Sequence, residues 1–145
     1  NTLSLHDALP ICLRRLGALA EARATYDSIE ARARETPGFP ALELAAIINA
    51  RAALDSAEGD LDSALAGFER ALEAIRSELA PDDYRIGRSH LSIALVAERL
   101  GRIGLARTNA ERAVEILRAR KGGESMTVQR AEALLARLDA TPPAP

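Results

Sequence analysis

Residues 59–71 read G-D-L-D-S-A-L-A-G-F-E-R-A and hold a pattern that recurs along the chain. Counted from Gly59, the pattern has Leu61 at +2, Ala64 at +5, Phe68 at +9 and Ala71 at +12. The matching residues of the two other copies are Gly17, Leu19, Ala22, Tyr26 and Ile29, and Gly101, Ile103, Ala106, Ala110 and Ala113. The copies begin 42 residues apart, twice over. A fixed internal period of this size is typical of repeat proteins.

The pattern has a direct physical interpretation. A glycine ends one helix because it adopts a positive φ at no steric cost. The positions +2, +5, +9 and +12 then follow one face of a second helix. Small alanines on that face let a neighbouring helix approach closely, and the aromatic residue fills the space beside them. A single copy would indicate only an amphipathic helix, whereas three copies in register favour an array of helical repeats.

The pattern resembles the second helix of a tetratricopeptide repeat, which has small residues and an aromatic residue at these spacings. The usual unit of that family is about 34 residues. The longer unit found here resembles the variety in kinesin light chains and many bacterial signalling proteins. Two further segments support this resemblance. Residues 79–84, L-A-P-D-D-Y, resemble the connector L-G-P-D-H-P of that variety, and residues 93–97, I-A-L-V-A, resemble its L-A-L-L-Y without the tyrosine.

The resemblance implies an all-α fold, in which antiparallel helix pairs stack into a right-handed superhelix. We expect a repeat domain at residues 12–139, with about three repeats, a truncated first repeat and a last helix that serves as a cap. Residues 140–145 are expected to be disordered. Residues 1–11, N-T-L-S-L-H-D-A-L-P-I, resemble a translated sequencing adapter, so we set them aside. The chain is then expected to be a fragment that lacks its true N-terminus.

Seven helices or helix fragments are expected. The first is a truncated last turn at residues 13–16 that stops at Gly17. The others span about residues 19–35, 40–58, 61–79, 83–100, 103–120 and 125–139, with Pro40 in the first position of its helix and Asp82 or Asp83 as a cap. A stop is expected at Gly122 and Gly123. Tyr26 and Phe68 should fill equivalent buried pockets, although apolar residues 19–29 should be under-buried where the first helix is truncated.

The sequence does not determine the register of one helix, the one expected at residues 40–58. Arg51 and Asp55 lie in the middle of the apolar stripe of the helix that ends before Gly59. The two residues are four apart, so they could form an ion pair on one helix face. A shifted turn before Gly59 explains the pattern equally well.

The composition excludes several classes of protein. Of the 145 residues, 48% are hydrophobic but only 3% are aromatic, which suits close-packed helices and argues against a β-sandwich. The formal net charge of −2 gives no electrostatic reason to expect a nucleic-acid partner. The single cysteine, Cys12, cannot form an internal disulfide. No apolar run reaches the roughly 18 residues of a membrane span, so we expect a cytoplasmic protein without a membrane partner.

The sequence carries no convincing reactive constellation. His90 has no cysteine, second histidine or carboxylate at metal-ligand spacing, and we expect it to be partly buried by packing. The pair Asp82–Asp83 is better explained as a cap and solvated turn than as an acid–base pair. Residues 101–104, G-R-I-G, lack the preceding strand and the glycine spacing of a phosphate loop. We therefore expect no catalytic residue, metal or cofactor.

The function expected from the resemblance is a non-enzymatic scaffold that binds a protein or peptide on its concave face. The repeat length is similar to that of arrays that follow the kinase domain in bacterial serine/threonine protein kinases, so such a kinase is the expected parent. The alternative is a sensor or effector-binding module of a bacterial transcriptional regulator. A kinase catalytic loop or a helix-turn-helix upstream would distinguish the two.

The expected binding surface consists of the residues that project from the first helix of each pair, off its packing stripe. These residues are Asn49, Arg88, Arg99, Arg130 and Arg137. Asn49 lies where kinesin-light-chain-like repeats carry an asparagine that can hold a peptide backbone. Arginine binds carboxylates through two parallel hydrogen bonds, so an acidic peptide or a C-terminal carboxylate is the expected ligand. The competing interpretation is four solvated surface arginines in an arginine-rich chain.

Overall fold

The protein is a stack of α-helices. The structure, a computed structural model, describes residues 5–119 and 125–142, with side chains from residue 15 onward. Within these ranges it contains six helices and no strand: α1 (Leu5–Glu35), α2 (Ala41–Glu58), α3 (Leu61–Arg76), α4 (Tyr84–Arg99), α5 (Ile103–Arg118) and α6 (Met126–Asp139). Each helix packs against the next, and α4 also contacts α6. The expected all-α solenoid architecture is therefore confirmed.

The glycines that open the second and third copies of the pattern form the expected turns. Gly59 has φ 84° and Gly101 has φ 72°, a left-handed conformation that favours glycine. The first turn joins its two helices through two residues and the second through three, so the helices of each pair run in opposite directions. Polar side chains cap the helices that follow loops: the backbone N–H of Arg85 donates to Asp83 at 2.9 Å, and that of Val128 donates to Ser125 at 3.3 Å.

The alanines of the second and third copies of the pattern lie at the centre of the core. Ala64, Ala71, Ala106 and Ala113 are all completely buried, and Phe68 is 8% exposed. The close approach of α2 and α3 also requires a glycine at position 67, since a Cβ there would lie 2.8 Å from the Cβ of Ala52. The core continues to α6, where Leu134 and Leu138 are buried against the last pair. The sixth helix thus buries its apolar residues against the α4–α5 pair, and its expected role as a cap stays a prediction.

The expected break at Gly17 is wrong. The structure contains one continuous helix, α1, through that position, and Gly17 has no positive φ. A glycine within a helix costs only about 1 kcal/mol relative to alanine, whereas a tight turn needs two helices that pack against each other to stabilise it. No such helix precedes α1 in the part of the chain that the structure describes. The count is therefore six helices and not seven.

The expected equivalence of Tyr26 and Phe68 is also wrong. Phe68 is buried because α3 packs between α2 and α4, whereas Tyr26 is only half-buried because α1 packs mainly against α2. On the same helix Ile29 is 39% exposed, which agrees with the expected under-burial of that region. The origin of residues 1–11, and the fragment inferred from it, stay predictions.

The register of α2 is resolved in favour of the ion pair. The helix continues without a shifted turn to Glu58, and Arg51 bonds Asp55 on its own helix. Asp55 is only 4% exposed. It also forms an ion pair with Arg23 of α1 at 3.1 Å, and Arg51 donates to Asp27 of α1 at 2.7 Å. Two polar residues within an apolar stripe thus connect α1 to α2.

Several boundaries differ slightly from expectation, and some expectations lie outside the described residues. Pro40 is the extended residue before α2, not its first helical residue. The helix α3 ends at Arg76, although hydrogen bonds to the carbonyl of Ile75 continue to Leu79. The predicted stop at residues 122–123, part of the tail and the first residues of the adapter-like segment lie outside the described ranges. None of the described helices is long and apolar enough to span a bilayer.

Candidate interaction surface

A cavity lies between the first helices of two successive pairs. Its volume is about 350 Å³. The residues that line it are Leu42, Ala45, Ala46 and Asn49 of α2, Ile75 of α3, and Arg85, Arg88 and Ser89 of α4. We call this surface the α2–α4 face. Since α3 packs against both helices, Ile75 of α3 forms part of an apolar floor between polar side chains.

Two of the five expected binding residues come together in this cavity. Asn49 is half-buried on α2, and Arg88 is exposed on α4. The guanidinium carbon of Arg88 lies 5.8 Å from the ring centroid of Tyr84, a cation–π distance. Such a contact contributes about 0.5–1 kcal/mol at an exposed site. The contact favours one position of the Arg88 side chain and leaves its hydrogen-bond donors available to a ligand.

Arg99 and Arg137 have intramolecular partners. Arg99 donates to the carbonyl and hydroxyl oxygens of Ser56 at 3.2 and 2.8 Å. Arg137 binds Glu98 through two hydrogen bonds of 3.1 and 3.0 Å, which raise the pKa of Arg137 above its ordinary value. These contacts join α4 to α2 and α6 to α4. Both arginines therefore stabilise the stacking of first helices, a role that the sequence analysis did not predict.

Arg130 differs from these two residues. It is exposed on α6, and it forms no hydrogen bond or ion pair with any residue in the described part of the chain. Its position is 42 residues after Arg88, so the two arginines have equivalent places in successive pairs. The structure thus leaves the donors of Arg88 and Arg130 free of hydrogen bonds within the described residues, whereas those of Arg99 and Arg137 are used.

Sequence reasoning missed the apolar and small residues of the face. Leu42 is 37% exposed, Ala46 is exposed, and Ser89 lies beside Arg88. The spacing of Leu42, Ala46 and Asn49 places all three on one side of α2. The surface expected from the sequence contained only polar residues at one register, so it lacked these positions. Arg85, also missed, bonds both oxygens of Asp83 at 3.0 Å, which raises the pKa of Arg85.

His90 lies on the other side of α4. It is 8% exposed, which confirms the expected packing role, and its Nδ1 lies 2.8 Å from Oδ1 of Asn109. Burial lowers the pKa of His90 below its ordinary value, the hydrogen bond to Asn109 opposes this effect, and the charges of Arg76 and Arg112 lower the pKa further. Among the described residues no group of three or more histidines, cysteines or carboxylates could hold a metal ion.

The α2–α4 face offers hydrogen bonds, positive charge and an apolar floor. Comparison with protein families gives a match over the two central helix pairs: the tetratricopeptide repeat model matches residues 43–119. A comparison with curated proteins found no match. Repeats of the matched family generally mediate protein–protein interactions.

Proposed function

Because the chain belongs to the tetratricopeptide repeat family, we propose that it binds an extended segment of a partner protein along the α2–α4 face. The observation that supports this proposal most strongly is the cavity of about 350 Å³, in which Asn49 and Arg88 flank an apolar floor. Repeat proteins of this kind offer a long surface to an extended chain. The scaffold itself is proposed to be non-enzymatic.

Asn49 is proposed to hold the backbone of the bound segment. Its side-chain amide has both a donor and an acceptor, so it can pair with the N–H and C=O of one peptide unit. Ala46 and Leu42 lie one and two turns earlier, respectively, on the same side of the helix, where they would contact an apolar side chain of the ligand. Ligand sites typically combine apolar contacts with a small number of polar groups that fix the orientation of the ligand.

Arg88 and Arg130 are proposed to select an acidic segment. Both present guanidinium groups that are free of intramolecular hydrogen bonds within the described residues. A guanidinium pairs with a carboxylate through two parallel bonds, which gives geometric selectivity as well as affinity. Arg99 and Arg137 are proposed to border the same surface. Their existing bonds to Ser56 and Glu98 would have to exchange before either could bind a ligand.

The biological context is proposed from the length of the repeat unit. The 42-residue unit and the connector at residues 79–84 support a cytoplasmic bacterial signalling protein, and a serine/threonine protein kinase is the proposed parent. Sequencing of the gene upstream of this chain tests the proposal. A kinase catalytic loop is the expected result, and a helix-turn-helix would instead support the transcriptional regulator.

The ligand proposal is tested with the double variant Arg88→Ala, Arg130→Ala and an array of acidic and neutral peptides. We expect the acidic peptides that bind the parent chain to bind the variant at least about tenfold more weakly, because two charge-assisted pairs are lost. The dependence of the dissociation constant on salt should also decrease. Fluorescence anisotropy of labelled peptides measures both effects.

The matched control is Arg15→Ala, Arg32→Ala. These arginines are exposed on α1, their side chains have no polar partner among the described residues, and they carry the same total charge as the tested pair. Peptide affinity should be unchanged in the control. Equal affinity and equal salt dependence of the parent chain and the Arg88, Arg130 variant would refute the ligand proposal.

A further inference from the structure

Two equivalent grooves run between the second helices of successive pairs, one between α1 and α3 and the other between α3 and α5. In the first groove, Glu30 of α1 is only 7% exposed. Its Oε1 accepts from Arg34 on the same helix and from Arg70 of α3, the latter at 3.2 Å. Two guanidinium groups from opposite sides of the groove thus share one buried carboxylate.

The second groove keeps the two arginines and lacks the carboxylate. The 42-residue offset places Arg76 at the position of Arg34 and Arg112 at the position of Arg70. The position of Glu30 is occupied by Leu72, which is 6% exposed and has no charge. The pair of guanidinium groups therefore has no shared anion in this groove.

The two arginines of the second groove bond only to exposed carboxylates on their own helices. Nη1 of Arg76 lies 3.6 Å from Glu73, and Nη1 of Arg112 lies 2.7 Å from Glu115. Both are pairs of residues three apart on an exposed helix surface, a type of pair that contributes only a few tenths of a kcal/mol. The guanidinium groups can therefore exchange these partners for a ligand at little cost.

Arg76 and Arg112 line one recess of about 150 Å³, together with Pro81, Ile86 and His90. We call it the α3–α5 recess. A water molecule occupies roughly 30 Å³ of liquid volume, so the recess has room for a carboxylate group and a few waters. Leu72 borders the adjoining part of the groove beside Arg76 and His90. The space beside Leu72, which both arginines line, is thus open to an external group.

His90 supplies a third polar group to the recess. Asn109 donates its side-chain N–H to the carbonyl of Leu105 at 3.0 Å, so its oxygen faces His90 and accepts from Nδ1–H. Nε2 of His90 has no hydrogen-bond partner among the described residues. In the first groove the 42-residue offset places Ile48 at this position. The second groove therefore carries an additional potential donor that the first groove lacks.

We propose that the α3–α5 recess binds one carboxylate side chain of a partner protein, which takes over the charge role that Glu30 has in the first groove. Arg76 and Arg112 bind its two oxygens, and protonated His90 donates to it from Nε2. This site lies on the opposite side of α4 from Arg88, so the proposal is independent of the α2–α4 face.

The charges around the recess favour a carboxylate over a phosphate. Glu73, Glu111 and Glu115 line the wider groove beside Arg76 and Arg112, and Glu69 lies along α3. Two guanidinium groups bind a single negative charge in the first groove, and this acidic rim opposes a dianion more strongly than a monoanion. A glutamate or aspartate of the partner therefore fits the charge balance better than a phosphorylated residue.

Binding in the recess should depend on pH. Burial lowers the pKa of His90, and Arg76 and Arg112 lower it further. A bound carboxylate offsets the effect of the two arginines and stabilises the imidazolium. The ligand should therefore raise the pKa of His90, and by linkage its affinity should increase as the pH falls toward that pKa.

The experiment uses three short blocked peptides of the form Ala-X-Ala, in which X is glutamate, glutamine or phosphoserine. The His90 ring resonances are followed by NMR through a pH titration with and without each peptide. We expect the glutamate peptide to bind with millimolar affinity, to shift the His90 ring and Asn109 amide resonances and to raise the pKa of His90. The glutamine peptide should have none of these effects. Stronger binding of the phosphoserine peptide, or no effect of the glutamate peptide, would overturn the proposal.

Variants locate the site. Arg76→Gln with Arg112→Gln should weaken binding of the glutamate peptide at least about tenfold, and Arg15→Gln with Arg32→Gln is the matched control. Leu72→Glu should restore an internal carboxylate and block the peptide while both arginines remain. If Leu72→Glu fails to fold, the comparison of the Arg76, Arg112 variant with its control still tests the site. Equal binding by the Arg76, Arg112 variant and its control would refute the site.

Discussion

His90 and Asn109 show how two residues change the character of one helix contact. The equivalent positions of the preceding pair hold Ile48 and Gly67, which pack without polar groups. At the α4–α5 contact an imidazole and an amide form a hydrogen bond of 2.8 Å instead. A buried polar group needs such a partner, since an unpaired one costs about 1–3 kcal/mol. The polar pair also makes this part of the molecule sensitive to pH.

Stability should fall in mild acid because of His90. The folded-state pKa of His90 is lowered by burial, whereas in the unfolded chain it is about 6.5. The unfolded state therefore binds a proton more readily. The contribution of neutral His90 to stability is complete above about pH 6.5 and is lost as the pH falls through the folded-state pKa.

Thermal unfolding at neutral and at mildly acidic pH measures this effect. We expect the decrease in Tm between the two conditions to be smaller for His90→Gln than for the parent chain, because glutamine does not titrate. The carboxylates are common to both proteins, so their contribution cancels in the comparison. An equal or larger decrease in the variant would contradict the argument.

Side-chain partners were the part of the site that the sequence could not predict. Arg88, Arg99, Arg130 and Arg137 have the same expected role in the sequence, because each lies off the packing stripe of a first helix. Only the relative position of successive first helices determines which of them reaches a partner. Ser56 and Glu98, the partners of Arg99 and Arg137, are about one repeat earlier in the chain.

At the scale of the element, polar residues in an apolar stripe can connect helices. Asp55 is 4% exposed and receives hydrogen bonds or ion pairs from Arg51 and Arg23. Arg51 in turn reaches Asp27, so α1 is joined to α2 at several points. Partial burial lowers the pKa of Arg51, but the hydrogen bonds to Asp27 and Asp55 and the charges of both carboxylates outweigh burial and raise the pKa. The sequence left this pairing open, because a shifted turn explained the same residues.

Replacement of Asp55 should weaken the contact between α1 and α2. We expect Asp55→Ala to lower the free energy of unfolding by about 2–3 kcal/mol, because a nearly buried acceptor of charged hydrogen bonds is removed. Asp62 is a suitable control, since its ion pair with Arg102 is exposed. Asp62→Ala should cost about 0–1 kcal/mol. Urea unfolding measures both values, and equal losses would contradict the structural role of Asp55.

Helix boundaries were predicted well where sequence and packing agree. Gly59 and Gly101 end helices that pack back on their predecessors, and Asp83 and Ser125 cap helices after loops. Gly17 has the same local sequence pattern and does not end a helix. The positions +2 to +12 describe the packing face of the helix that follows a glycine. They carry no information on whether a helix precedes it and packs nearby.

At the scale of the whole molecule, repetition explains both the fold and the differences between its surfaces. The alanines of the pattern are completely buried in α3 and α5, so both pairs use the same small residues for close packing. Surface residues can vary without changing this packing. Glu30 and Leu72 occupy the same place in two grooves, and only one groove carries its own carboxylate. Similar repeats can therefore present different binding chemistry.

The period of 42 residues made the architecture predictable from the sequence, whereas the candidate site was predictable only in part. Asn49 and Arg88 lie together because α2 and α4 are the first helices of two successive pairs. The apolar floor of their cavity includes Ile75 of α3, which lies between the two helices. Such a floor depends on three-dimensional packing, and no pattern within one helix reveals it.

The most direct measurement is an NMR titration of the labelled protein with an acidic peptide. The peptide is chosen from those that bind the parent chain in the peptide array. The proposed function predicts that the side-chain amide of Asn49 and the backbone amides of residues 85–89 shift at a common dissociation constant. Those shifts should be lost in the Arg88→Ala, Arg130→Ala variant. Peptide binding that leaves Asn49 and residues 85–89 unperturbed would contradict the assignment of the α2–α4 face as the surface for the partner.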